Sequence, residues 1–103
     1  MKTVILEYKI IVSSAKYREL VNILEKEMVK EKPEGCLERN VYQSLTDSNH
    51  FTLTEHWSRA EHLMDHFQSN EFKFLNGGMQ VLGKSVERHV FQMQELVEYQ
   101  MSI

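Results

Sequence analysis

Residues 3–12 read TVILEYKIIV, and neither face of that run belongs in water. As a strand it sends Val4, Leu6, Tyr8, Ile10 and Val12 to one side and Ile5, Glu7, Lys9 and Ile11 to the other. Its β-branched and aromatic content suits a pleated surface, and apolar residues on both faces call for cover on both. The chain has 103 residues, enough for one domain, 1–103, that hides only about 60–65% of its unfolded-chain surface. A second copy is the natural source of further cover, so a homodimer is expected.

The rest of the chain supplies a simple order of elements. Ser13-Ser14 offers an N-cap, and Tyr17, Leu20, Val21, Leu24 and Met28 form the stripe of an amphipathic helix. Lys26, Lys30 and Lys32 suit its C-terminal end, Pro33 stops it, and Gly35 turns the chain. Residues 36–44 and 50–57 read as strands, and Thr46-Asp47-Ser48-Asn49 between them is turn chemistry, so a hairpin is predicted. Ser58-Arg59-Ala60-Glu61 has the form of a capping box, opening a helix whose buried stripe is Ala60, Leu63, Met64 and Phe67. Ser69 caps a second helical piece with Phe72, Leu75, Met79 and Leu82; Gly77-Gly78 weakens it and Gly83 ends it. Residues 84–99 fit helix or strand by pattern alone. A strand completes βαββαβ, so the expected fold is α+β and ferredoxin-like.

Composition then removes whole classes of function. Twelve Lys and Arg against fifteen Asp and Glu leave a net charge of −3, with no basic cluster longer than two, so neither nucleic acid nor an anionic membrane is an expected partner. No apolar run approaches the eighteen or so residues of a membrane span, and Glu7 and Lys9 interrupt what would be a signal peptide. Cys36 is alone, with nothing to point to an oxidising compartment, and a cytoplasmic protein is expected. No Gly-rich phosphate loop appears. His56, His62 and His66 lack a Cys or carboxylate at a ligand spacing, so no metal and no cofactor are expected.

Several runs carry a family likeness over nearly the whole chain. Pro33-Glu34-Gly35-Cys36-Leu37 enters the second strand; Thr54-Glu55-His56-Trp57-Ser58 closes the third; Glu61-His62-Leu63, Asp65-His66-Phe67-Gln68-Ser69 and Phe72 follow. The pattern E-x-W, then about nine residues to a His, a small polar residue and an aromatic, resembles the antibiotic biosynthesis monooxygenase (ABM) family. The resemblance implies a dimeric α+β barrel, in which two open sheets pack face to face and the last strand reaches toward the partner. It also implies a small-molecule pocket between sheet and helices. Some relatives oxygenate anthrones or quinols without a cofactor, some cleave haem, and others act on small signalling molecules. The haem-cleaving branch places an Asn, a Trp and a His where this chain has Glu7, His66 and Asn76, so haem cleavage is disfavoured. An Asn found four residues before the Trp in some anthrone-type relatives is replaced by Leu53.

Within that frame, Glu55 shares a strand face with Phe51, Leu53 and Trp57, and a carboxylate among apolar neighbours suits a general base. At roughly 100° per residue, His66 falls at the edge of the buried helix face, where a pocket would open, whereas His62 turns to solvent. Trp57 would line the pocket as a flat stacking wall. Asn40 and Arg88 are candidate oxyanion donors if their strand faces point inward. The expected activity is a cofactor-independent monooxygenase acting on a small quinol- or anthrone-like aromatic, with Glu55 or His66 as base. The alternatives are a non-catalytic small-molecule-binding protein, or an isomerase or lyase of a small signalling metabolite.

Overall fold

The doubly apolar run becomes an inner strand. The structure is a computed structural model that describes residues 2–94. Its elements are β1 (Lys2–Val12), α1 (Tyr17–Met28), β2 (Cys36–Gln43), β3 (His50–Trp57), α2 (Ala60–Phe67), α3 (Asn70–Leu82) and β4 (Gly83–Gln94). The four strands pair antiparallel in the order β2-β3-β1-β4, so β1 is flanked on both sides. This is the expected ferredoxin-like α+β arrangement. The ambiguous last segment is a strand because β1 offers it a free edge from Ile11 to Lys2. Of the strand expected to reach residue 99, positions 95–99 lie outside the described residues.

Among the described residues, helices cover only one face of the sheet. Val4, Leu6, Tyr8, Ile10 and Val12 are buried there against Leu20 and Leu24 of α1, Leu63 of α2, and Phe72, Leu75, Met79 and Leu82 of α3. The opposite face carries Ile5 and Ile11, half-buried, with exposed Tyr42, Phe91 and Met93. Phe91 pairs directly with Ile5 and Tyr42 with Thr52, so these side chains share that open face. Among the described residues of one chain, therefore, the first strand is covered once and not twice.

Local expectations meet mixed outcomes. The hairpin forms, and its turn is held by Ser44 Oγ, which accepts from the amides of Thr46 and Asp47 at 3.2 Å, while Asn49 Nδ2 donates to the Val12 carbonyl at 2.7 Å. Ser69 caps α3 as predicted, accepting from the Phe72 amide at 3.1 Å, and Gly83 follows its last turn. The glycine pair at 77–78 does not interrupt that helix. Neither Ser13 nor Ser14 caps α1 with its side chain, because a short 3-10 turn intervenes at Ser14–Lys16. The capping box at 58–61 does not form either: Arg59 is the N-cap residue, and Ser58 Oγ sits 3.5 Å from His62 Nδ1 instead. The stripe of α2 is also turned from the expected one. Leu63 and His66 are buried, Phe67 is half-buried, and Ala60 and Met64 are exposed.

Candidate functional site

Alternation along β3 sends Leu53, Glu55 and Trp57 under the helices, where all three are buried. On β2 the hairpin register does the equivalent work: Gln43 opposes Phe51, Val41 opposes Leu53, and Arg39 comes to face Glu55 on the helix side. Beyond that pair a bulge at Leu37 sets Cys36 opposite Trp57. The guanidinium is then fixed from two sides. Its Nε donates to Glu55 Oε2 at 2.8 Å, and its Nη1 donates to the Glu27 backbone carbonyl at 3.3 Å, 3.7 Å from Glu27 Oε1. The second Glu55 oxygen accepts from Trp57 Nε1 at 3.3 Å. Glu27, Arg39 and Glu55 are 3%, 6% and 1% exposed, a desolvated triad of net charge −1. Lys30 closes its outer end, reaching Glu27 at 3.2 Å and Glu71 at 3.8 Å.

The triad changes the reading of Glu55. Its neighbours are not all apolar, and both carboxylate oxygens are already engaged by donors. Such an anion holds its donors in place. Here the donor is the only tryptophan, whose indole lies under the ring of His66 at a centroid distance of 4.9 Å. His66 packs its other side edge-on to Phe72 at 5.4 Å. Burial holds the imidazole below its ordinary range, with the Arg39 charge acting the same way and Glu55 opposing, so the ring is neutral at pH 7.

Further along the same face the aromatic layer ends in a second polar group. Phe67 and Phe72 continue it at 4.8 Å, and Tyr8 meets Phe72 at 6.5 Å. The Tyr8 hydroxyl donates to Asn76 Oδ1 at 3.0 Å, while Arg88 lies over the Phe67 ring at 5.3 Å. Burial pushes the Tyr8 phenol up, against the pull of the nearby Arg88 charge.

One cavity, of about 240 Å³, reaches this assembly. Pro33, Glu34, His62, Asp65, His66, Ser69 and Glu71 line it. Three larger grooves lie elsewhere: one of about 690 Å³ between α1 and strands β2 and β3, one of about 660 Å³ between α1 and α3, and one of about 500 Å³ where the end of β1 meets the β2–β3 turn. None of them touches the buried triad or His66.

The sequence profile of the antibiotic biosynthesis monooxygenase family matches residues 1–75. The chain belongs to that family. Solved structures agree on the fold of this ABM protein. A Deinococcus radiodurans protein carrying the same family name is 19% identical, with a TM-score of 0.82, covering 95% of this chain and 99% of its own. A conserved protein from Methanosarcina mazei is 24% identical, with a TM-score of 0.76 over 93% and 95% of the two chains. A variant of SnoaB, a cofactor-independent oxygenase from Streptomyces nogalater, is 11% identical with a TM-score of 0.78 over 94% and 98%. At such identities the likeness is one of fold. No curated protein matches the sequence significantly.

The ABM chain brings some of the expected site residues together and separates others. Glu55, Trp57 and His66 meet under the helices, but Trp57 is wholly enclosed and lines none of the described cavities. Arg88 pairs with Tyr8 and shares the helix-covered face, at its exposed margin. Asn40 does not join them. It pairs with Thr54 on the open face and spends its amide on Glu38 Oε1 at 2.7 Å, because strand parity opposes it to Arg39. His62 is half-buried where solvent was expected, its ring lying against Gly35, which takes φ +87°. Cys36 is a buried thiol pushed up by desolvation, in keeping with an inert strand residue.

Glu27 and Arg39 are the residues that sequence reasoning missed. Both left a signal: Glu27 continues the spacing of Leu20 and Leu24, and Arg39 has the same parity as Val41, which packs against the core. Among the described residues, no three His, Cys, Asp or Glu side chains group to hold a metal ion, and no helix is long and apolar enough to cross a membrane.

Proposed function

We propose that this ABM protein is a cofactor-independent monooxygenase of a small quinol- or anthrone-like aromatic, working as a cytoplasmic homodimer. The observation that carries the reading is His66: an imidazole kept neutral by burial, braced by Trp57 and Phe72, on the wall of the cavity. Neutral imidazole can take the proton of an electron-rich hydroxyl. The resulting anion gives an electron to dioxygen, and the two radicals combine to form a carbon–oxygen bond. The O–O bond of the peroxide then breaks and water leaves: the departing oxygen takes the His66 proton and the hydrogen remaining on the oxygenated carbon, which becomes a carbonyl. In the sum, RH2 and O2 give R=O and H2O, and all four electrons come from the substrate carbon. The protein's share is to move one proton and to hold an anion away from bulk water.

Glu55 serves here as the anchor of Trp57, and the first role as base passes to His66. The open sheet face supports the dimer, since Ile5, Ile11, Tyr42, Phe91 and Met93 form an apolar surface that a second copy of the same face would bury. Oxygen uptake with a panel of quinols and anthrones tests the activity, run beside a thermal-shift screen of the same compounds. Uptake that is abolished in His66→Gln is the expected result. A thermal shift with no uptake by the wild type would make the protein a binding protein instead.

A further inference from the structure

The cavity beside His66 has a strongly one-sided charge. Glu34, Asp65 and Glu71 put three carboxylates on its lining, and no Lys or Arg lines it. Lys30 reaches Glu71 at 3.8 Å but sits closer to Glu27, at 3.2 Å.

Acidic side chains alone would say little, but the back of this cavity is built. His66 is only 6% exposed, and its ring nitrogens have no hydrogen-bond partner among the described residues. They are not sealed in either: among the described residues, Arg39 Nη2 is the one enclosed side-chain nitrogen left without a partner. A nearly buried imidazole on a cavity wall, with an open and unpartnered nitrogen, is aimed at whatever enters. The backbone behind it is held as well, because the His66 carbonyl accepts from both the Ser69 hydroxyl at 2.7 Å and the Ser69 amide at 2.9 Å.

We propose that this cavity selects a small phenol bearing a protonated amine, its hydroxyl donating to His66 and its ammonium held by the carboxylates of Asp65, Glu71 and Glu34. The inference names a substrate class for the proposed monooxygenase site and rests on that reading for its link to turnover, but not for binding. A volume of about 240 Å³ readily admits a single-ring phenol with a short side chain. A carboxylate-bearing phenol of the same shape meets repulsion from all three acids. Each partly exposed charge pair contributes a factor of about 1.5 to 5, so three together give a preference on the order of ten-fold.

Three phenols of nearly one shape make the test: tyramine (cation), 4-ethylphenol (neutral) and 4-hydroxyphenylacetate (anion). Their binding to the full chain is read by NMR, from His66 ring shifts, at low salt and without oxygen. The expected order is tyramine about ten-fold tighter than 4-ethylphenol, with 4-hydroxyphenylacetate weakest. Glu34→Gln, Asp65→Asn and Glu71→Gln combined, or 0.5 M salt, should erase the preference while 4-ethylphenol binding stays unchanged. Equal affinities, a reversed order, a preference that survives those three substitutions, or no shift of His66 with any of the three ligands overturns the proposal. Oxygen uptake is measured separately, so failure of the monooxygenase reading leaves the binding result legible.

Discussion

Replacing Arg39 with Met would remove the cation of the buried triad while keeping most of its volume. Three consequences follow from the geometry. Glu55, 1% exposed, loses its 2.8 Å partner and keeps only the Trp57 indole; the Glu27 carbonyl loses its 3.3 Å donor; and the Glu27 carboxylate retains Lys30 alone. Breaking a buried ion pair from one side typically costs about 3–5 kcal/mol, because the other charge stays desolvated. Against a total of about 5–15 kcal/mol for a domain of this size, that is a large fraction. Urea denaturation followed by the emission of Trp57, the only tryptophan, measures it directly. Adding Glu55→Gln should recover about half of the loss. Gln has no charge to strand, and its side-chain carbonyl can still accept from the indole. A cost below about 1 kcal/mol for Arg39→Met, or strict additivity with Glu55→Gln, would refute the claim that the triad is desolvated and coupled.

Acidification should weaken the fold through His66. Its folded value lies below the ordinary 6.5, so the unfolded chain takes up the proton first. Stability is complete above about pH 6.5 and declines as pH falls from there toward the folded value, and urea midpoints at several pH values should lose that slope in His66→Phe. Gly35→Ala should destabilise by more than about 1 kcal/mol, since φ is +87° and the new methyl would overlap the His62 ring; Gly35→Ala with His62→Ala should recover only the steric part. Phe91→Glu, on the open face opposite Ile5, should turn a dimer into a monomer by sedimentation at micromolar concentration, and an unchanged dimer would remove that face as the interface.

Much of this protein was written locally. The alternation of HFTLTEHW placed Glu55 beside Trp57 on one strand face, the Thr46–Asn49 run made the hairpin, and Ser69 capped its helix. These outcomes follow from periodicity and short-range hydrogen bonding, which need no knowledge of distant residues. What neighbours each side chain meets is a different matter. Only packing decided that α2 would turn His66 inward and Met64 outward, because a helical wheel gives relative angles and the sheet beneath sets the absolute one. Only the hairpin register, with Gln43 opposite Phe51, brought Arg39 opposite Glu55 and left Asn40 on the far face. Slipping that register by one residue exchanges the two faces of a strand, and a pattern of period two cannot say which residues the turn will pair. Glu55 therefore entered as a carboxylate among apolar neighbours and emerged as the anchor of an indole, its partner supplied by another strand sixteen residues earlier.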